Sequence, residues 1–530
     1  MRDGAVPWKW LRRRALLSAA PCSVFYSAGW YFNLFTIRSI LLFGIFSSAF
    51  AVGLEKVGRL DASRGLPGAE ISAYVPDQKI LVTTSGDNSV SVISLEEPST
   101  PRILDILPFR GEVPSVAAYR DFLAVAETNI PETSPGWIHL FQVKDRKLVK
   151  VRTFSTGPQP DMVAFSPDGK TILVACEGEA DMDVGVDPEG SVGFIDLSEG
   201  VENATSRELP FGAFDSLSLA GAGVRLAGPG SYLQNLEPEY IAFSPDGKSA
   251  FVSLQENNAV AKIDVAKREI EKIWGLGAVD HSQKGNSFDY RKDGKISLEN
   301  APVRGELQPD GVAAFEWGGK LYFLTADEGA SRDDSFYSDE TRAETLLRAG
   351  RLDKSVFTAS LVRKLGKLPI DAENPCDGNE PCRYLNTFGG RSMSLFDGET
   401  GARIWNSGET IEKISAQKYP ERFNANSKKK KAKPDARSEK KGPEPENVTV
   451  GTLRGVPYAF LGMERSSEIA IFRLENPETP QLEYYVETPE DRGPEGILFV
   501  SAEDSPLPGE PLLIVGYEYG ESLVVYRIIY

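Results

Sequence analysis

Short apolar segments separated by polar turns recur along the chain from about residue 55 to its end. The hexapeptide FSPDGK at residues 165–170 recurs unchanged at residues 243–248, and each copy lies between two apolar segments. Pro-Asp-Gly between such segments is typical of a tight hairpin turn, because proline fixes φ and glycine tolerates a positive φ. A third β-rich segment follows each hairpin, at residues 191–196 and 259–264. Repeated antiparallel units of this kind predict an all-β fold of the β-propeller type.

The repeated units can be counted because each opens with a proline, usually close to an acidic residue. Seven such openings occur, and they begin at Pro67, Pro114, Pro160, Pro238, Pro309, Pro445 and Pro494. The last unit contains only three strand-like segments, and residues 54–60 can supply its fourth strand. Such a closure would leave no open sheet edge. We therefore predict a seven-bladed β-propeller closed by an N-terminal strand, with long inter-strand loop insertions.

The propeller is expected to span residues 52–530, which is more chain than seven blades of ~40–50 residues need. The surplus falls in four insertions, near residues 200–236, 275–305, 330–388 and 406–444. The last insertion carries a basic run that includes Lys428–Lys431, Lys440 and Lys441. Two interpretations of this run stay open: a solvated, disordered loop, or a surface that binds anionic partners.

Residues 1–51 have the pattern of a signal peptide or a signal anchor. Three arginines, Arg12–Arg14, precede an uncharged stretch at residues 15–37, and a second apolar run ends in small residues that signal peptidase can cut after Ala51. Both interpretations place the rest of the chain on the exoplasmic side. The protein is therefore expected to be secreted or held at the cell surface, with membrane contact only through the N-terminal segment if it is not cleaved.

Two further features agree with an exported protein. Cys376 and Cys382 flank a short polar turn, and such a spacing predicts a local disulfide in an oxidising compartment. Asn203 begins a glycosylation sequon and is the predicted glycan site. The other sequon, at Asn447, directly precedes a predicted inner strand, where a glycan would not fit.

The charge balance limits the classes of function. The 530 residues include 59 basic and 76 acidic side chains, and the net charge of −17 argues against nucleic-acid binding, which needs a basic footprint. Only two histidines are present, which disfavours histidine-rich zinc sites and a Ser-His-Asp hydrolase. The chemistry of this chain, if it has any, is therefore expected to be carboxylate chemistry.

The acidic residues recur at two positions in the repeated unit. The first set lies at the unit openings: Glu70, Asp161, Glu239, Asp310, Glu446 and Glu495. The second set follows the second strand of each unit: Asp87, Glu127, Glu177, Glu256, Glu328, Glu464 and Glu518. In a propeller both positions lie on one face, so these carboxylates are expected to converge on one mouth of the central channel. Crowded carboxylates need a counter-charge, and flexible oxygen-rich surroundings favour Ca²⁺. The alternative is that these acids cap turns or pair with arginines.

Several irregular stretches resemble the choice-of-anchor I family. They are residues 437–451, 458–465, 308–314, 325–329 with Arg332 and Asp333, and 390–394. The resemblance covers about residues 55–530 and implies a seven-bladed propeller. The family includes cell-surface glycoproteins of biomineralising invertebrates and bacterial proteins labelled alkaline-phosphatase-like. This chain has Ala330 where the family usually carries an acid, which weakens an inherited metal site.

Two hypotheses of function follow. The first is a non-catalytic secreted or surface propeller that binds divalent cations, above all Ca²⁺, or an extracellular matrix or mineral surface through its acidic face. The second is a calcium-dependent phosphoesterase in which Arg332, Arg391 or Arg465 binds the phosphate. No nucleophile is identifiable in the sequence, and propellers host many unrelated functions.

Overall fold

The computed structural model of the protein describes residues 52–181, 184–333 and 336–530. The predicted leader at residues 1–51 lies outside the described residues. Within them, seven antiparallel four-stranded sheets follow one another along the chain. The prediction of a seven-bladed β-propeller closed by an N-terminal strand is confirmed. In the same part of the chain, no helix is both long and apolar enough to cross a bilayer.

The first strand of the described chain is β1 (Gly53–Asp61). The next sixteen strands form blades 1 to 4, each in simple order from the channel outwards. Blade 1 contains β2 (Ser72–Val75), β3 (Ile80–Ser85), β4 (Ser89–Ser94) and β5 (Arg102–Pro108). Blade 2 contains β6 (Val116–Tyr119), β7 (Phe122–Glu127), β8 (Pro135–Lys144) and β9 (Lys147–Pro158). Blade 3 contains β10 (Pro160–Phe165), β11 (Thr171–Cys176), β12 (Ser191–Asp196) and β13 (Thr205–Pro210), and helix α1 (Ser216–Gly221) follows it. Blade 4 contains β14 (Pro238–Phe243), β15 (Ser249–Leu254), β16 (Ala259–Asp264) and β17 (Glu269–Gly275).

The remaining blades are interrupted by the longest insertions. The segment before blade 5 adds β18 (Ala278–Asp280) and β19 (Val303–Glu306). Blade 5 begins with β20 (Val312–Trp317) and β21 (Lys320–Asp327). Its insertion contains β22 (Glu340–Thr341), α2 (Ala343–Arg348), α3 (Ala359–Leu365), β23 (Ile370–Asp371) and β24 (Leu385–Phe388). The blade ends with β25 (Ser392–Asp397) and β26 (Arg403–Asn406), and α4 (Thr410–Lys418) follows. Blade 6 contains β27 (Pro445–Leu453), β28 (Val456–Met463), β29 (Glu468–Arg473) and β30 (Gln481–Glu487). Blade 7 contains β31 (Pro494–Val500), β32 (Leu512–Tyr517), β33 (Ser522–Ile529) and, as its fourth strand, β1.

The insertions build small sheets of their own around the disulfide. Strands β18, β19 and β24 form one sheet, and β22 pairs with β23. Cys376 and Cys382 form a disulfide with 5.6 Å between their Cα atoms, and both pack in the buried cluster beneath these helices and strands. Strand β13 occupies the start of the predicted insertion at 200–236, so the inserted chain proper begins after Pro210.

The repeated hexapeptide forms the hairpin that its sequence predicts. Between β10 and β11, the Ser166 hydroxyl donates to Asp168 Oδ1 at 2.8 Å, and the Lys170 amide donates to the same oxygen at 3.1 Å. Gly169 has φ +70°, which is the conformation that the turn requires of glycine. The second copy repeats these contacts through Ser244 and Asp246.

Strand β1 closes the ring by antiparallel pairing with β33, from Gly53–Ile529 to Asp61–Ser522. Lys56 Nζ and Arg59 Nε bind the buried carboxylate of Asp491 at 2.6 and 2.7 Å. Charge pairing therefore adds to the backbone ladder where the two ends of the propeller meet.

Candidate functional site

The first strands of all seven blades line a central channel, and acidic residues surround one of its mouths. Further along the channel the same strands line a second cavity of about 450 Å³. At the mouth lies a cavity of about 310 Å³, whose described lining contains no lysine or arginine. We call this cavity the acidic mouth. Its lining carboxylates are those of Glu70, Glu112, Asp161, Asp310, Glu446, Glu464, Glu495 and Glu518.

Strand register explains why these acids meet. In four blades, the proline that begins the first strand pairs with the last residue of the second strand: Pro160 with Cys176, Pro238 with Leu254, Pro445 with Met463, and Pro494 with Tyr517. One acid follows the proline and another lies just past the end of the second strand, so the two acids of a blade come close together. The register shifts directly after each proline. Such bulges re-aim side chains at the ends of sheets.

Three groups of acids have the spacing of a metal site. In each group, one carboxylate oxygen per residue lies within 4.8 Å of the others. The groups are Asp310 with Glu328 and Glu446, Glu328 with Glu444 and Glu464, and Glu464 with Glu495 and Glu518. Because Glu328 and Glu464 each belong to two groups, the three groups adjoin one another around the mouth.

Burial and mutual repulsion raise the pKa values of several of these carboxyl groups above their ordinary range. Burial, followed by repulsion from Glu518 and Glu112, raises the pKa of Glu70 to about 7. Burial, followed by repulsion from Glu112, raises the pKa of Asp161 to about 7. Burial raises the pKa of Glu464 to about 8, although Arg465 opposes the shift. Near neutral pH, a proton on each carboxyl group or a bound cation is therefore needed to neutralise the negative charge of these buried groups.

The acids at the centre of the mouth are perturbed most. Burial and then Glu328 raise the pKa of Asp310 well above its ordinary value. Burial with Glu328 and Glu464 raises the pKa of Glu446 in the same way, and burial with Glu464 and Asp310 raises the pKa of Glu495. Neighbouring carboxylates contribute to each shift, so a divalent cation among them would relieve several repulsions at once.

An amide oxygen adds a neutral donor to this set. Asn447 lines the acidic mouth and is only 3% exposed. Its Nδ2 donates to the Tyr240 hydroxyl at 2.8 Å, while its Oδ1 has no hydrogen-bond partner among the described residues. Glu446 Oε2 is also buried without such a partner in the described chain. Carboxylate and amide oxygens are the ligands that Ca²⁺ prefers, so the donor set fits this ion.

The structure places the remaining predicted acids in two kinds of environment. Glu177 and Glu239 interact electrostatically with each other, with Glu256 and with Asp161, beside the acidic mouth. Asp87 instead accepts hydrogen bonds from the Ser85 and Ser89 hydroxyls, both at 2.6 Å.

Glu127 caps a turn rather than lining the mouth. It accepts the backbone N–H groups of Arg110 and Gly111 at 2.9 and 3.0 Å, and His139 Nε2 lies 2.5 Å from its second oxygen. These hydrogen bonds lower the pKa of Glu127 despite the opposing effect of burial.

Each of the three arginines considered for phosphate is paired within the protein. Arg332 forms an ion pair with Glu237 and donates to the Ala227 carbonyl at 2.9 Å. Arg465 Nε lies 3.0 Å from Glu464 and 3.1 Å from Glu444.

Arg391 is buried and forms hydrogen bonds to the backbone of the last insertion. It binds Glu412 at 2.8 Å and donates to the carbonyls of Asp289, Ser438 and Lys440. It therefore fixes the chain on both sides of Glu439.

Sequence reasoning missed three charged residues of this site. Glu112 lines the mouth from blade 2, whose opening at Pro114-Ser115 has no acid directly after the proline. The sequence signal that could have identified Glu112 is its position two residues before this proline. Glu444 is buried, and Lys441, Arg437 and Arg465 overcome the effect of burial and lower its pKa to about 2. Lys441 lies in the basic run and forms an ion pair of 2.6 Å with Glu328.

The other end of the basic run is solvent-accessible: Lys428, Lys429 and Lys430 are exposed, as a solvated loop would require.

Asn203, the predicted glycan site, is exposed in a short 3₁₀ turn at Val201–Asn203. Asn447 of the other sequon is buried at the mouth. The geometry of the two sites therefore agrees with the order of preference drawn from the sequence, and glycosylation itself stays a prediction.

Comparison with known proteins gives one family match. Residues 70–477 match the family model of the choice-of-anchor I domain. The mesenchyme-specific cell surface glycoprotein of Strongylocentrotus purpuratus is 28% identical over 287 residues, which cover 47% of this chain and 36% of that protein. Gigasin-3a of Magallana gigas is 32% identical over 111 residues, which cover 20% of this chain and 39% of that protein. The alignments thus span well under half the length of either relative.

Two solved structures resemble the fold over most of the chain. Hydrazine synthase of Kuenenia stuttgartiensis gives a TM-score of 0.46 at 14% identity and covers 87% of this chain and 96% of its own. The β-propeller domain of Cps50 (Swd1) from Myceliophteria thermophila gives 0.45 at 10% identity and covers 89% of this chain and 99% of its own.

Proposed function

Because this chain belongs to the choice-of-anchor I family, we propose that it is an exported, non-catalytic β-propeller whose acidic mouth binds Ca²⁺. The observation that carries the proposal is the convergence of eight carboxylates on one cavity of about 310 Å³. The amide oxygen of Asn447, buried and without a hydrogen-bond partner in the described chain, is a second and independent indication of a cation.

The donor chemistry favours calcium over other metals. The described lining of the mouth offers carboxylate and amide oxygens and contains no histidine or cysteine, which disfavours zinc and copper. Oxygens from several blades give more donors than the six of a compact magnesium site, and Ca²⁺ accepts six to eight oxygens in irregular geometry.

An extracellular role is supported by two observations. The relative from Strongylocentrotus purpuratus is a cell surface glycoprotein, and the described chain contains a disulfide, which persists in oxidising compartments. Calcium at an open mouth keeps coordination positions for outside ligands. Acidic groups of an extracellular matrix or a mineral surface have the chemistry to fill these positions, and we include such partners in the proposal.

The charges around the acidic mouth argue against the phosphoesterase alternative. Arg332, Arg391 and Arg465 are paired with carboxylates or carbonyls, and a carboxylate-lined cavity repels a phosphate ester. No observation in the described residues therefore favours phosphate binding at this mouth.

Isothermal titration calorimetry of the chelator-treated full chain with CaCl₂ tests the proposal. We expect saturable binding that Glu446→Gln weakens, because this change removes a central carboxylate. The matched control is Glu316→Gln, which neutralises an exposed acid on strand β20 and should bind as the unmodified protein does. Absence of binding heat together with absence of a thermal shift in CaCl₂ would overturn the proposal.

A further inference from the structure

Lys441 places an ammonium group among the acids that adjoin the mouth. Its Nζ lies 2.6 Å from Glu328 Oε1 and 3.6 Å from Glu444 Oε2, and it donates to the Gly329 carbonyl at 2.6 Å. Burial alone would lower the pKa of Lys441, but Glu328 and Glu444 raise it overall, so this side chain stays charged.

Both oxygens of Glu328 are engaged. Oε1 binds Lys441, and Oε2 accepts from Gln255 Nε2 at 2.7 Å. Glu328 is nevertheless the residue that completes a metal-type group with Asp310 and Glu446. A divalent ion bound to Asp310 and Glu446 would compete with Lys441 for Glu328 as its third carboxylate.

The position of Lys441 is built into the fold. Arg391 donates to the Ser438 and Lys440 carbonyls at 2.8 and 2.5 Å, which fixes the backbone just before the lysine. Directly after it, Gly442 has φ +70°, and a Cβ at this position would lie 2.9 Å from Arg391 Cδ. Arg437 pairs with Glu444 across the same turn. These three contacts and the close approach of Gly442 to Arg391 therefore hold a short segment of the last insertion so that its lysine reaches Glu328.

From this geometry we propose that Lys441 is a tethered cation that competes with Ca²⁺ for Glu328 and thereby sets the calcium affinity of the acidic mouth. The inference rests on the proposed function and deepens it. An ammonium within a few ångströms of a divalent ion repels it, and at the effective dielectric of a protein surface this repulsion weakens binding by about tenfold or more. Glu328 would then alternate between a lysine partner in the calcium-free protein and a calcium ligand in the loaded one.

The first test compares calcium affinity in Lys441→Gln and Lys430→Gln by titration calorimetry. Lys430 is exposed in the same insertion and serves as the matched control. We expect Lys441→Gln to lower the Kd for Ca²⁺ by about tenfold or more and Lys430→Gln to leave it unchanged. In a Glu328→Gln background, Lys441→Gln should change the Kd less, because the competition for the carboxylate is gone and only the direct repulsion between the ammonium and the ion is left.

The second test uses the unmodified protein and does not depend on a variant that folds. Lysine acetylation followed by mass spectrometry should show more modification of Lys441 when Ca²⁺ is present and no change at Lys430. Unchanged or reduced labelling of Lys441 in saturating Ca²⁺ would overturn the competition.

The outcomes separate the two proposals. If the unmodified protein binds Ca²⁺ but Lys441→Gln binds it equally or more weakly, only the role of Lys441 is refuted. If neither protein binds Ca²⁺, the proposed function fails, and the inference fails with it.

Discussion

Raising the pH in the absence of metal should destabilise this propeller, and calcium should reverse the effect. Burial and repulsion raise the pKa of Asp161 to about 7 and of Glu464 to about 8 in the folded chain. A carboxyl group whose folded pKa is raised binds its proton more tightly in the native state than in the unfolded one. Its contribution to stability is therefore complete below the unfolded pKa, near pH 4, and is lost as the pH rises through 7 to 8.

The size of the effect follows from these values. Asp161 shifts from 3.8 to about 7, and a shift of one unit corresponds to 1.36 kcal/mol, so this group alone accounts for roughly 4 kcal/mol. The ionisations of the mouth acids are coupled, so their separate contributions to stability do not add. Roughly 5 kcal/mol is therefore the expected loss of folding stability for the whole mouth. At about 2.1 cal/mol/K per residue, a folded region of about 480 residues has an unfolding entropy of ~1 kcal/mol/K. The expected change in Tm from about pH 4 to pH 8 is therefore ~5 °C, and the larger part of it falls between pH 5 and pH 8.

Differential scanning fluorimetry at pH 5 and pH 8, each in EDTA and in CaCl₂, measures this directly. We expect Tm in EDTA to be lower at pH 8 than at pH 5, and the stabilisation by Ca²⁺ to be larger at pH 8, where the carboxylates are ionised. Glu495→Gln removes one of the perturbed acids and should reduce the loss between the two pH values. The reasoning is refuted if Tm in EDTA is the same at both pH values and Ca²⁺ raises it equally at each.

Three other predictions concern the frame around the mouth. Asp491→Ala should lower the free energy of unfolding by about 2–3 kcal/mol, because it leaves Lys56 and Arg59 without their buried partner. Urea unfolding measures this loss, and Asp105→Asn, at an exposed acid, is the control. Replacing Cys376 and Cys382 together by serine should lower the free energy of unfolding by about 2 kcal/mol, because the disulfide closes only a short loop. Dithiothreitol should then have no further effect on Tm, and an unchanged Tm in the double variant would contradict this prediction. After secretion from eukaryotic cells, Asn203→Gln should abolish the mobility shift caused by an endoglycosidase, whereas Asn447→Gln should not, because Asn447 is 3% exposed.

The architecture was predictable because its determinants are local. The Pro-Asp-Gly turn sets the first hairpin of blades 3 and 4 within six residues, as the contacts of Ser166 and Asp168 show in blade 3. The openings repeat in every blade, so the blade number and the closing role of β1 follow from counting. Local turn chemistry also explains why acids recur at the channel mouth, since they accompany the prolines at the strand starts.

The charge partners were not predictable because they are distant in sequence. Lys441 and Glu328 are 113 residues apart, and the two insertions between them have no periodic pattern that fixes their path. In the sequence Lys441 belongs to a run of lysines, and only tertiary structure distinguishes it from exposed members such as Lys430. Asp87 and Glu127 occupy repeat positions like the others, yet neighbouring hydroxyls, amides and His139 bind them locally.

The way in which the ring closes also determines how it responds to tension. Gly53 pairs with Ile529, so the chain enters β1 and leaves β33 at the same end of the ladder. A force that pulls the termini apart would unzip this ladder one residue pair at a time instead of shearing all pairs together. If the propeller were pulled from both of these ends, blade 7 would therefore be the first blade to yield.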